Sequence, residues 1–341
     1  MPETGRGPTV ALDGRGADGG ADVIAQGALA AARDGIPVRI FGDASEFESR
    51  IDHELVEVIE APGEIMNDEE PVAAVRSRDD ASIVMAAEAA AGEANALVSA
   101  GPTGATLAAA LFAMRRLSGV RRPALAVQLV VPGRDGPPTL FLDVGANAEV
   151  RSQDLVQFGV MGAAFSRAVL GVAQPRVALL SVGEEAKKGT PVVVEAHAAL
   201  SVAKGIDFTG NVEGRDLLSG VADVVVTDGF TGNVALKTLE GTAKAVASAV
   251  GQAARSNPLA AAGGLLLRPA LGGLRRELDP DSVGGAILLG LRGVTVVAHG
   301  SSGAEGIANA IRLASRTVSQ RAVERTGELL EAAEATRKPA T

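Results

Sequence analysis

The sequence predicts an α/β protein: a three-layer α/β/α, doubly wound and mostly parallel sheet with a protruding helical hairpin. Two observations predict the layers. Short apolar, β-branched runs alternate with stretches of helical periodicity. Several of these runs stop at a small or polar turn that opens into a helix, as parallel strands do. A third observation predicts the hairpin: a long helical pattern after Asp228 meets an apolar, glycine- and proline-broken segment, residues 257–276, read as the tip between two helices.

Taken in order, Thr9–Leu12 reads as the first strand, ending at Asp13, with a helix from Ala21 to Arg33 and a second strand over Pro37–Phe41. A strand and short helices follow to Asn67, then the strand Ala94–Ser99, the turn Gly101-Pro102-Thr103-Gly104-Ala105 and a helix to Arg116. Ala124–Val131 and Thr139–Leu142 are expected to pair across PGRDGPP. A helix over Ser152–Val169, the strand Arg176–Ser181, a helix over Glu195–Lys204 and a short strand over Asp207–Thr209 lead to Val224–Thr227. That last run is of a type buried on both faces, and the helix after it runs to Ser256. Val294–Ala298 is the final strand, followed by a helix to Ser315. Ligands of such sheets bind outside the carboxyl ends of the strands, so the loops at Asp13, Gly101, Asp143, Gly183, Gly210, Asp228 and His299 are expected at one edge. Residues 8–318 form the expected catalytic domain, and 319–341 a charged helical tail, partly disordered.

Composition removes several classes of function. A net charge of −9 with 2% aromatic residues argues against a nucleic-acid partner. The absence of cysteine removes disulfides, thiol nucleophiles and cysteine-held metal centres, and it suits a reducing cytosol. His53, His197 and His299 lie far apart, so no metal is expected. Mean hydropathy is +0.22, yet no apolar run reaches the ~20 residues that span a bilayer, and Met1–Pro8 does not read as a signal peptide.

Six turns carry chemistry. Gly14-Arg15-Gly16-Ala17-Asp18-Gly19 matches a dinucleotide fingerprint, but Asp13 and Asp18 would crowd a pyrophosphate, so it reads as a turn. Ser99-Ala100-Gly101-Pro102-Thr103-Gly104 suits a phosphate dianion, or is an ordinary turn capped by Thr103. Gly183-Glu184-Glu185-Ala186-Lys187-Lys188-Gly189 offers cations for a developing oxyanion, or a solvated charged loop. Asn211 and Asn233 share a Gly-Asn-Val context; each is a ligand or a turn residue. His299 is an acid/base group or a polar strand end.

The segments SAGPTGA, RRPALA, LDVGANAE, LLSVGEEAKKG, TGNVEGRD, DVVVTDGFTGNVALKTLEG, GGAILLGL and AHGSS stand in one order between Val10 and Ala314. Together they resemble the bacterial phosphate acyltransferase family of phospholipid synthesis, PlsX. The resemblance implies a fold similar to phosphate acetyltransferases and isocitrate dehydrogenases, a homodimer, no cofactor, and transfer of a fatty acyl group from acyl carrier protein to inorganic phosphate. It implies Lys188 and Asn233 as catalytic residues, and Ser99, Gly101, Thr103, Gly104, Asn147, Asn211, Arg215, Asp228, Thr231 and His299 as substrate-binding ones. It also favours a cytoplasmic enzyme in peripheral contact with anionic membrane through Leu265, Leu266, Leu267 and Leu271, with burial of that segment in the dimer interface as the other reading. The family pattern is broken at Gly19, Pro102, Val283 and Ile287. Two other functions fit the residues: an NAD(P)-dependent dehydrogenase on a related fold, and a catalytically silent scaffold that binds acyl carrier protein or membrane.

Overall fold

The computed structural model describes residues 7–277 and 280–336, without the side chains of 268–280. The first half of the chain runs β1 (Val10–Asp13), α1 (Gly20–Arg33), β2 (Val38–Gly42), α2 (Ala44–Phe47), β3 (Val56–Glu60), α3 (Pro71–Ser77), α4 (Ser82–Ala91), β4 (Ala96–Ser99) and α5 (Thr103–Met114). It continues through β5 (Ala124–Leu129), β6 (Thr139–Leu142), α6 (Ser152–Ala168), β7 (Arg176–Leu180), α7 (Pro191–Leu200), β8 (Asp207–Val212) and β9 (Val224–Val226). The hairpin α8 (Gly229–Ala253) and α9 (Pro258–Glu277) follows, then β10 (Ala286–Leu289), β11 (Val294–Val297), α10 (Ala304–Ser319) and α11 (Ala322–Ala332).

All these strands join one sheet in the order β3-β2-β1-β4-β11-β10-β5-β6-β9-β7-β8. β3, β2, β1, β4 and β11 are mutually parallel, and so are β6, β9, β7 and β8. Between the two sets lie three antiparallel pairings, β11 with β10, β10 with β5, and β5 with β6. Three reversals leave the two parallel sets pointing in opposite directions. This corrects the expectation of one ligand edge. The loops after Asp13, Gly101 and His299 lie at one edge of the sheet, and those after Asp143, Gly183, Gly210 and Asp228 at the other.

Burial explains the layers. β1, β4, β6 and β9 are buried throughout, the state their continuous apolar runs require. One face packs against α1, α6, α10 and α11, and the other against α4, α5 and the start of α8. In α6, Phe158, Met161 and Phe165 are wholly buried, so truncating either phenylalanine to Ala costs about 3–5 kcal/mol. Asp154 on α6 is buried too, and Arg121 meets it at 2.8 Å, fixing the entry into β5.

Several local expectations shift. α3, α4 and β10 lie in stretches without a strong period and were not expected. α7 starts at Pro191 rather than Glu195, because the Thr190 side chain caps the helix and Pro191 suits its first position. β8 runs on through Asn211 to Val212; Gly210, at φ +102°, absorbs the irregularity in the pairing with β7. Residues 258–277, expected as a broken tip, are themselves a helix, entered where Asn257 Oδ1 accepts the Ala260 N–H. The expected tail packs as α11 against α6, with Leu330 fully buried.

Candidate active site

A groove of about 670 Å³ crosses the sheet face between α5 and α8. Its floor is apolar: Leu125, Val127 and Leu129, alternate residues of β5, share one side, and Leu236 and Leu239 of α8 form a wall. At the first edge the lining turns polar, with Gly101, Thr103, Gly104, Asp18 and His299. Gly145 and Asn233 line it toward the opposite edge.

The polar turn at Gly101 is built on a buried hydroxyl. Ser99 Oγ donates to Asp13 Oδ2 at 2.7 Å and accepts the Gly101 N–H at 3.0 Å. Asp13 also accepts from Ser82 Oγ at 2.6 Å and from the Arg15 N–H at 3.1 Å. Burial pushes the Asp13 carboxyl up to about 6, against the pull of Ser82, Ser99 and the Arg15 amide. Gly16, at φ +81°, lies against Gly101 so closely that a Cβ would come within 2.4 Å of the Gly101 Cα. The fingerprint-like first turn is thus a wedge under the second. α5 begins after Pro102, which has no side chain to cap it, and the N–H groups of Thr103, Gly104 and Ala105 take no partner among the described residues. Thr103 is therefore the first helical residue, not the cap. His299 Nδ1 accepts the Ser301 N–H at 3.2 Å, so the hydrogen of the neutral ring is on Nε2.

At the opposite edge Asp143 is fully buried. Its Oδ1 accepts from the N–H groups of Leu125, Gly145 and Ala146, and its Oδ2 from the Asn147 N–H and side-chain amide. Burial raises its pKa against those donors, Ala146 and Asn147 foremost. The turn so fixed presents Val144 O, which accepts from Asn233 Nδ2 at 3.1 Å. One N–H and the Oδ1 of Asn233 stay free of that bond. Asn147 is buried, its amide also donating to Pro123 O at 2.7 Å. Asp228 caps α8, accepting the Thr231 N–H at 2.8 Å and the Thr231 hydroxyl at 2.7 Å.

Lys188 is exposed on the loop after β7 and does not line the groove. Its N–H donates to Glu185 O at 2.9 Å, and its own carbonyl accepts from Ser181 Oγ at 2.9 Å. Arg215 is exposed nearby, within 3.3 Å of Glu184 and of Glu213.

Against known proteins, a family model described as fatty acid synthesis protein matches residues 9–325. The chain belongs to that family. Among its relatives, the phosphate acyltransferase of Elusimicrobium minutum is 44% identical over 318 residues, covering 91% of this chain and 92% of its own. That of Anaeromyxobacter sp. strain K is 46% identical, covering 89% and 85%, and that of Streptococcus pneumoniae 42%, covering 94% and 99%. The fold is shared with the phosphotransacetylase of Streptococcus pyogenes, at a TM-score of 0.60 and 17% identity over 93% of this chain and 94% of that one. It is shared equally with the EutD phosphotransacetylase of Staphylococcus aureus, at 0.59 and 18% over 91% and 94%. These two show the fold alone.

On this family's scaffold the groove gathers Gly101, Thr103, Gly104, His299 and Asn233 of the expected site residues. Ser99 is buried directly beneath the turn. Asn147, Asp228 and Thr231 hold the second-edge turns together, while Lys188, Asn211 and Arg215 group at the ends of β7 and β8. Lys237 was missed: it lines the groove one turn after Asn233 and pairs with Glu240 at 2.9 Å. Its spacing from Asn233 on a helix was the signal. Asp13 stood in the sequence as a strand end and as an argument against a pyrophosphate site, not as the buried acid under the Gly101 turn.

Proposed function

We propose that this acyltransferase of the fatty acid synthesis family moves a fatty acyl group from acyl carrier protein to inorganic phosphate, with no acyl-enzyme. The observation that carries the reading is the groove: an apolar floor suited to an alkyl chain, ending at a helix start with three unpaired N–H groups suited to a dianion. Phosphate is a competent nucleophile near neutral pH and a thiolate a good leaving group, so positioning and charge stabilisation suffice. A phosphate oxygen attacks the thioester carbon, the carbonyl oxygen becomes an oxyanion, and its collapse expels the carrier's thiolate. The amides of Thr103 and Gly104 hold the phosphate, with His299 Nε2–H beside them. Asn233 gives its free N–H to the oxyanion, and Lys188 offsets the accumulating negative charge.

Direct attack needs all these groups at one point; the groove of a single chain holds Thr103, Gly104 and Asn233, but Lys188 lies outside it. A second copy resolves this. In a two-fold dimer of this reading each active site takes its groove, with Thr103 and Asn233, from one copy and its Lys188 from the other. Support comes from α8, where Phe230, Val234, Val246 and Val250 are exposed apolar residues. The test mixes Lys188→Ala with Thr103→Glu, each inactive alone. Heterodimers regain activity if the site is shared, because one of their two sites is intact. No recovery on mixing would mean that each chain works alone.

The exposed leucines of α9, Leu259, Leu265, Leu266 and Leu267, form a contact with anionic membrane in this reading. The Leu271 side chain lies outside the described residues. Among the described residues no helix is long and apolar enough to cross a membrane. Residues 8–318 make the catalytic unit, with α11 packed on it, and the enzyme works in the cytoplasm without a cofactor.

A further inference from the structure

We propose that His197 is a positioning residue for Lys188, acting through Asn211 on the loop that carries the lysine. The proposal rests on the reading of Lys188 above and adds what holds that exposed side chain in place. Asn211 is buried on β8, and both ends of its carboxamide are committed within the chain. Its Nδ2 donates to Glu185 O at 3.0 Å, the same carbonyl that accepts the Lys188 N–H. Its Oδ1 faces His197 Nδ1 at 2.9 Å. A carboxamide that donates on one side can only accept on the other, so His197 Nδ1 carries the hydrogen. The imidazole thereby fixes which way Asn211 points. With that donor gone, a half-turn of the amide would set its oxygen against Glu185 O and release the loop.

The ring has its own support. Phe208 meets the imidazole edge-on, with centroids 5.0 Å apart and planes at 80°. His197 sits on α7, the helix into which the Lys188 loop leads through Gly189, at φ +111°. Loop, helix, histidine and asparagine thus close a ring of contacts around seven residues, 183–189. Asn211 is on this account a support rather than a substrate ligand.

The test uses the full-length enzyme with His197→Phe, which keeps a ring against Phe208 but loses the donor, and His197→Asn, whose amide can stand where Nδ1–H stood. Hydrogen exchange read by mass spectrometry should rise in 183–189 for His197→Phe, stay unchanged in the β6 and α6 segments, and return toward wild type in His197→Asn. In turnover, His197→Phe should lower kcat by ~10-fold with little change in KM for acyl carrier protein. Combined with Lys188→Ala it should add almost nothing, because both changes remove one function. Unchanged exchange over 183–189 in His197→Phe overturns the proposal, and so does full additivity with Lys188→Ala. Normal turnover of Lys188→Ala alone would refute the catalytic role of the lysine, while the exchange data still decide the positioning.

Discussion

Two carboxylates, Asp13 and Asp143, organise the two edges, and each is buried where a charge is costly. For Asp13 the folded-state pKa of about 6 lies above the ordinary 3.8, so the folded protein holds that proton more tightly than the unfolded chain. Its contribution to stability is full below the unfolded value and is lost as pH rises through about 6. The amount is on the order of 3 kcal/mol. Urea unfolding at pH 4 and pH 7 should show wild type losing stability relative to Asp13→Asn across that interval, and parallel curves would contradict the assignment. Lys188→Ala and Asn233→Ala should each lower kcat by ~10²-fold or more while melting normally, and Lys187→Ala should do less. Near-wild-type kcat in both would remove them from the mechanism. At this scale the motifs were legible as turns with too much polar equipment, but their division of labour was not. Asn147, Asp228 and Asn211 have side chains of the same types as ligands, and their hydrogen bonds to Asp143, Thr231 and His197 could not be read from the sequence.

Among the elements, the strands ending in glycine turns were the clearest, because a run such as Val224–Val226 has no soluble use except a buried strand. The helices of 67–94 and the start of α7 were obscured by alanine-rich, weakly periodic sequence and by a cap, Thr190, whose neighbour is a proline. The larger departure is α9, which stays helical despite several glycines, each costing roughly 1 kcal/mol relative to alanine. Its leucines are therefore displayed on a helix rather than a loop. Leu265→Glu with Leu267→Glu should leave the oligomeric state and the activity in solution unchanged but abolish flotation with anionic liposomes. A monomeric or unfolded double variant would show instead that this helix belongs to the dimer interface.

For the whole molecule, fold class and family were readable from the order of the motifs, and the direction of the sheet was not. The antiparallel β5–β6 pair was legible from its PGRDGPP turn, but β10 was not expected, and its pairing with β5, far away in sequence, has no local signal. The split edges follow from these antiparallel pairings, and with them the proposal of a site shared between copies. Phosphate should raise the melting temperature by mass action, whereas NAD should not. A shift with NAD and none with phosphate would favour a dehydrogenase. The most direct measurement of the central claim is phosphorus NMR of the enzyme with a long-chain acyl carrier protein and inorganic phosphate. The account predicts an acyl phosphate signal growing in step with free carrier thiol, in amounts far above the enzyme concentration. Thiol release without acyl phosphate, or no turnover of the thioester at all, would contradict it.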